Sequence, residues 1–302
     1  MANAAQDLSS ALAEIVEKVG PSVVRVEDGR GRPSTGVVWE VSGGATLIAT
    51  ASHSQDREDS LEVGLHDGST VKASLVGFDN STDAALIKID KALPVPTWSD
   101  GADLKVGNLV LLLGRPGKTA RATLGIASAV GTDEWRTAAG GKVNRYIQAD
   151  VARSPGFSGG PLVDMNGKVL GMYSSALARG AHAILPTPTL QRVAPSLQQH
   201  GKVQRGFIGV GVYPVRLPDD VSKAAGGQED GVVVVALQPD GPAQKAGIAL
   251  GDVLIQLEGK PVTSPGELIS LLDPDKVGKA VTAKVSRAGT VRDVSITVGS
   301  RG

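Results

Sequence analysis

The chain has 302 residues, with 31 Lys+Arg against 31 Asp+Glu and no cysteine. That length accommodates two domains with separate cores, and the even charge gives no pull toward nucleic acid or an anionic membrane. The lack of thiols excludes disulfides, thiolate metal sites and a cysteine nucleophile.

No apolar run approaches the ~18 residues that a membrane span requires; residues 109–113 and 232–237 have the length of buried strands. Met1-Ala2-Asn3-Ala4 offers no basic region ahead of an apolar core, so no signal peptide is expected in the chain as given. Leu8, Leu12, Ile15, Val16 and Val19 recur at helical spacing, with Asp7 as the expected cap and Gly20-Pro21 as the stop. Aromatics are only 3%, while glycine and branched aliphatics abound, which fits β-structure with many tight turns. Strands are expected over 22–26, 36–41, 46–51, 61–65, 71–78, 84–89 and 109–113, with hairpin turns at His66-Asp67-Gly68-Ser69 and Asp164-Met165-Asn166-Gly167. Many short strands at this spacing predict antiparallel barrels or a sandwich.

Thr187-Pro188 reads as an N-cap followed by proline at the first helical position, opening a helix that Pro195 should kink and His200-Gly201 should close. The strand at 206–213 follows, then a polar stretch, 218–230, expected to be a loop. After it come a strand (231–237), a short helix (242–246), a strand (252–257), a helix (265–272) and two strands around Ala288-Gly289. The expected division is one domain over 1–204 and a smaller α+β domain over 205–302.

Chemistry concentrates at Ser154-Pro155-Gly156-Phe157-Ser158-Gly159-Gly160-Pro161-Leu162. A serine among glycines can be presented on a tight turn whose N–H groups collect an oxyanion; an incidental serine in a glycine turn is the competing reading. Activating a hydroxyl takes a histidine, and a carboxylate to orient it. There are four histidines. His200 ends a helix, His66 lies in a turn and His182 precedes a short apolar run. His53 follows the apolar strand 46–51 and opens onto polar sequence, as a strand end at a cleft would. Asp83 begins the apolar run 84–89, with Asp150 as its main rival and Asp79 a turn residue. The order His53, Asp83, Ser158 is that of chymotrypsin-like double β-barrels.

Thr50-Ala51-Ser52-His53, Thr82-Asp83-Ala84-Ala85-Leu86-Ile87-Lys88 and Gly156-Phe157-Ser158-Gly159-Gly160-Pro161-Leu162 resemble the three triad motifs of the HtrA (Deg) serine proteases. Asp230-Gly231-Val232, Gly247-Ile248, Gly251-Asp252-Val253-Leu254 and Gly259-Lys260-Pro261-Val262 resemble that family's PDZ domain. The resemblance implies a mostly β fold, a chymotrypsin-like double barrel followed by a small α+β PDZ domain. It implies Ser158 as nucleophile, His53 as base then acid, Asp83 as orienter, and the N–H groups of Gly156 and Ser158 as oxyanion hole. The reaction implied is hydrolysis of unfolded or misfolded polypeptides, with no metal or cofactor.

Phe157, Met172, Tyr173 and Ser174 are expected to wall the specificity pocket, with no acid among them to favour Lys or Arg and with small or medium aliphatic residues preferred. In Arg205-Gly206-Phe207-Ile208-Gly209-Val210, the N–H groups from Phe207 to Val210 are implied to hold a chain-terminal carboxylate. The incoming peptide then adds as a strand, with Leu268 and Leu272 forming the other wall. Where the family has Asn before the nucleophile this chain has Phe157, and where it often has Gly-Asn-Pro this chain has Gly114-Arg115-Pro116-Gly117. These departures raise the alternative of a latent or inactive chaperone or peptide-binding scaffold. The resemblance further implies a homo-oligomer, a trimer or a multiple of it, in the bacterial cell envelope or secreted, while the chain as given leaves a cytoplasmic location open.

Overall fold

The computed structural model of the chain describes residues 3–29, 33–54, 61–152, 154–178 and 183–301. It divides into two compact units, residues 1–202 and 203–302.

The first unit opens with α1 (Ala4–Val19), which starts a turn earlier than Asp7; Asn3 precedes it and Asp7 lies in its first turn. Its apolar stripe is buried because Ile15 and Val19 pack with Val23, Leu111, Leu113, Val163 and Val169. Burying an aliphatic side chain of that size contributes about 2 kcal/mol, so two such residues anchor the helix. Seven strands then form the first sheet: β1 (Val23–Glu27), β2 (Ser34–Ser42), β3 (Ala45–Ala51), β4 (Glu62–Gly64), β5 (Thr70–Lys72), β6 (Ser74–Asp79) and β7 (Ala84–Ile89). Their order is β5-β4-β1-β2-β3-β7-β6. The single expected strand over 71–78 is two, and Ala73 between them joins one edge of the sheet to the other, rolling it into a barrel. Its interior holds Val24, Val26, Val38, Ile48, Val63 and Ile87.

The second sheet comprises β8 (Leu109–Gly114), β9 (Arg121–Val130), β12 (Ile147–Asp150), β13 (Pro161–Asp164), β14 (Val169–Tyr173) and β15 (Ile184–Pro186), with the two-residue strands β10 (Trp135–Arg136) and β11 (Lys142–Val143) paired apart from it. The order is β12-β9-β8-β13-β14-β15, and a bridge between Gln148 and Ala183 closes the ring. Residues alternate inward along each strand, and Val110, Leu112, Ile147, Phe157, Leu162, Leu170 and Ile184 fill the interior. Helix α2 (Thr187–His200) begins one residue earlier than expected, with Pro186 at the N-cap, runs through Pro195 and ends on Gly201 at φ 71°.

The second unit is a six-stranded antiparallel sheet, five strands of which run in the order β17-β18-β19-β21-β22, from β17 (Val210–Arg216), β18 (Asp230–Leu237), β19 (Val253–Leu257), β21 (Ala280–Arg287) and β22 (Thr290–Thr297). The short β20 (Lys260–Pro261) pairs with β19, and β16 (Arg205–Phe207) pairs with β23 (Gly299–Arg301). The polar stretch expected as a loop contains α3 (Asp219–Ala224). That helix forms because Val221 and Ala225, one turn apart, close over Leu217 and Ile255. Helices α4 (Pro242–Lys245) and α5 (Pro265–Leu271) complete the unit. The start of α5 is fixed by Ser264 Oγ, which accepts from the Glu267 N–H, while the Glu267 carboxylate accepts from Thr263.

Among the described residues no helix is long and apolar enough to cross a membrane, and no cluster of three or more His, Asp or Glu is arranged to hold a metal ion.

Candidate active site

Strands β3 and β7 pair with Ala51 opposite Ala84, so the residue leaving one strand meets the residue entering the other. Asp83 and the Ser52–Ser54 turn therefore face each other, and the Ser52 N–H donates to the Asp83 carbonyl at 3.2 Å. Asp83 has φ 57°, a left-handed conformation that Asp tolerates better than most residues. The residue is 5% exposed, and its carboxylate accepts from four donors. Oδ1 takes Ser52 Oγ at 2.9 Å and the His53 N–H at 2.8 Å. Oδ2 takes His53 Nδ1 at 2.7 Å and Ser174 Oγ at 2.5 Å. Burial alone would raise the Asp83 pKa, but the hydrogen bond and charge of His53, with Ser174 and the His53 N–H, outweigh it and hold the carboxyl below its usual value. With Nδ1 bonded to the carboxylate, Nε2 is the ring atom placed to act as base.

The second barrel supplies the serine. Ser154-Pro155-Gly156-Phe157 is a turn closed by the Phe157 N–H on the Ser154 carbonyl at 3.2 Å, with Gly156 at φ 84°. Gly159 sits at φ 90°, and a Cβ there would fall 1.8 Å from the Thr35 carbonyl oxygen. Only glycine lets the loop lie this close to β2. Thr35, fully buried, ties the loop down. Its Oγ1 donates to the Gly156 carbonyl at 2.6 Å and accepts the Arg115 N–H at 2.9 Å, and its own N–H donates to the Ser158 carbonyl at 3.0 Å. Arg115 is buried too, its guanidinium donating to the carbonyls of Val23, Lys118 and Gly20; burial pushes its pKa down. Among the described residues, the N–H groups of Gly156 and Ser158 have no protein acceptor.

Ser158 Oγ lies 3.0 Å from Ser175 Oγ, and Ser175 Oγ lies 3.2 Å from His53 Nε2. The three residues singled out in the sequence, 105 positions apart at the extremes, thus converge where the barrels meet. Ser175 stands between two of them.

Comparison with known proteins agrees with this geometry. Residues 34–172 match a trypsin-like peptidase domain and residues 206–298 a PDZ domain. The serine protease Do-like HtrA of Bacillus subtilis is 31% identical over 318 residues, covering 93% of this chain and 71% of that protein. The chain belongs to the HtrA family of serine proteases.

A probable periplasmic serine endoprotease DegP-like of Halomonas elongata is 38% identical over 83% of this chain and 54% of its own length. The chain thus spans about half the length of the DegP-like relatives it matches. Among solved structures, the HtrA-type protease AlgW with decapeptide superposes with TM-score 0.74 at 27% identity, covering 96% of this chain and 98% of that one. The serine endoprotease from Yersinia pestis does so with TM-score 0.73 at 28% identity, over the same shares. The expected fold, a chymotrypsin-like double β-barrel followed by a small α+β PDZ domain, is the one this HtrA chain has.

Phe157, Met172, Tyr173 and Ser174, the residues expected around the specificity pocket, are all buried. Phe157 is 1% exposed and turns into the second barrel, because Gly114 has no side chain to keep its ring out. Ser174 spends its hydroxyl on Asp83, a role that strand alternation does not reveal. No observation favours the latent alternative raised by Phe157. Asp150 closes β12 and Asp79 accepts from Ser81 and Thr82, and the carboxylate bonded to His53 Nδ1 is that of Asp83. His182 lies outside the described residues.

In the second unit, β17 ends the sheet order and has one edge without a strand partner among the described residues. The Ile208 and Gly209 N–H groups at its start find no protein acceptor among the described residues, and Phe207 and Val210 flank them, half-buried. The Ile208, Leu268 and Leu272 side chains are buried in the core of this unit with Val232, Leu254 and Ile296, and the i, i+4 leucine pair holds its short helix to the sheet.

Proposed function

We propose that this chain is a serine endopeptidase that cleaves unfolded or misfolded polypeptides, with a protease domain over 1–204 and a PDZ domain over 205–302 that captures hydrophobic C-terminal peptides. The observation that carries the reading is the His53–Asp83 pair at 2.7 Å, with Ser158 Oγ one hydroxyl away from Nε2. His53 takes the Ser158 proton while Oγ attacks the scissile carbonyl. Asp83 holds the ring in the Nδ1–H tautomer and stabilises the imidazolium that forms. The Gly156 and Ser158 N–H groups, unspent on the protein, receive the oxyanion, each such donor contributing ~3 kcal/mol. The leaving amine takes its proton from His53, and water then resolves the acyl-enzyme by the same route in reverse.

At the PDZ, the open edge of β17 accepts the peptide as an added strand, and the Ile208 and Gly209 N–H groups hold its carboxylate. Relatives named periplasmic, and the resemblance to HtrA proteins, support work in the bacterial cell envelope as a trimer or a multiple of it. The test is digestion of reduced, unfolded casein by the full chain, with and without a peptide ending in a hydrophobic residue. Fragments from wild type and none from His53→Ala are expected. Equal fragmentation by both proteins, or none by either even with peptide present, overturns the reading.

A further inference from the structure

The hydroxyl between the nucleophile and the base belongs to no part of the triad. Ser175 Oγ is 3.0 Å from Ser158 Oγ and 3.2 Å from His53 Nε2. A hydroxyl can accept one hydrogen bond while donating another, which is what a link from a serine O–H to an imidazole nitrogen requires. We propose that Ser175 is a relay residue, the group through which the Ser158 proton reaches His53; the proposal rests on the protease reading above.

The backbone around it is built to keep it there. Ser174 Oγ donates to Asp83 Oδ2 and accepts the N–H groups of Ala176 at 3.1 Å and Leu177 at 2.9 Å, so the turn carrying Ser175 is pinned to the same carboxylate that orients His53. On the other side, Gly159 N–H donates to the Tyr173 carbonyl and Tyr173 N–H to the Gly160 carbonyl, both at 2.8 Å, which stitches the end of β14 to the nucleophile loop. Ser175 thus follows two fixed residues, Tyr173 tied to the nucleophile loop and Ser174 tied to the carboxylate that orients His53. Ser175 itself is exposed, on the solvent side of the site.

The step balances as follows. Ser158 Oγ forms a bond to the carbonyl carbon, and the π pair moves to oxygen. The Ser158 proton passes to Ser175 Oγ as the Ser175 proton passes to His53 Nε2, so Ser175 ends the step neutral and His53 ends it as imidazolium. His53 then yields that proton to the leaving nitrogen as the C–N bond breaks. Two protons move in the attack step where a direct contact would move one.

The test uses the full chain and unfolded casein, with kcat measured against the deuterium fraction of the solvent for wild type, Ser175→Ala and Ser175→Thr. Wild type should give a curved dependence, with two protons in flight. Ser175→Ala should lose on the order of tenfold or more in kcat and give a straight line, and Ser175→Thr, which keeps a hydroxyl, should recover most of the loss. Labelling of Ser158 by a fluorophosphonate separates this proposal from its parent. If wild type labels at Ser158 while Ser175→Ala is as fast as wild type or faster, the relay is wrong and the protease reading stands. A linear dependence in wild type overturns the relay without recourse to any variant. If wild type neither labels nor cuts, the protease reading fails and takes the relay with it.

Discussion

Asp83 and Ser158 face one cleft but differ in hydrogen-bond supply. The carboxylate is buried and accepts from four donors, all from the protein itself. Around Ser158 the balance is reversed: the Gly156 and Ser158 N–H groups are half-buried donors with no protein acceptor among the described residues. A buried anion costs several kcal/mol unless its lone pairs are filled, so the Asp83 corner must be complete once the chain has folded. Donors near solvent carry no such penalty, since water can serve them. The comparison separates the part of the site that folding finishes from the part left for a substrate to finish.

Removing the unfinished side at its centre should give the largest effect. Ser158→Ala should lower casein hydrolysis by on the order of 10⁴-fold or more with little change in melting temperature, because nothing buried depends on its hydroxyl; a combined rate assay and thermal scan checks both halves of that statement. Asp83→Asn comes next, at about 10³- to 10⁴-fold in kcat, and here stability should fall as well. The sign of its pH dependence follows from the lowered carboxyl pKa. The stabilisation is present above the unfolded value of about 3.9 and is lost as pH falls through the folded value. Acid unfolding of Asp83→Asn below pH 4 should therefore be shallower than that of wild type, and identical acid limbs would contradict the four-donor account.

Thr35→Val tests what positions the unfinished side. It leaves the Gly156 carbonyl and the Arg115 N–H without their partner, which costs about 1–3 kcal/mol, and it should lower kcat by about tenfold, with Thr35→Ser restoring it. An unaltered kcat would mean that the loop holds its shape without the threonine. The smallest effect tests independence. Arg287 makes two 2.7 Å bonds to the buried Asp252 in the second unit. Asp252→Asn should cost that unit about 1–2 kcal/mol, a value reduced by the exposure of Arg287, with protease activity on casein retained; urea unfolding and the rate assay read the two.

The same contrast explains what could be read in the sequence. His53 and Asp83 sit at the ends of strands whose apolar runs are unmistakable, and Ser158 lies in a glycine-rich turn, so each carries a local signal. Ser175 and Thr35 carry none, because their partners lie 122 and 121 positions away and only closure of both barrels brings them together. Phe157 adjoins Ser158 in sequence, but the space that accepts its ring is made by Gly114 on another strand, which no local pattern announces. Strand β9 carries no clear signal in the sequence because Arg121–Val130 mixes small and polar residues and is mostly half-exposed. Helix α3 carries none because a two-residue apolar contact inside a polar stretch resembles a loop. The fold was legible where burial is periodic, and illegible where a single contact decides.

The most direct test of the account is to treat the full chain with a fluorophosphonate and map the adduct by peptide mass spectrometry. One adduct per chain on Ser158, with labelling abolished in Ser158→Ala and slowed by at least about 10²-fold in His53→Ala, is the result predicted. An adduct on any other serine, or equal labelling of wild type and His53→Ala, would contradict it.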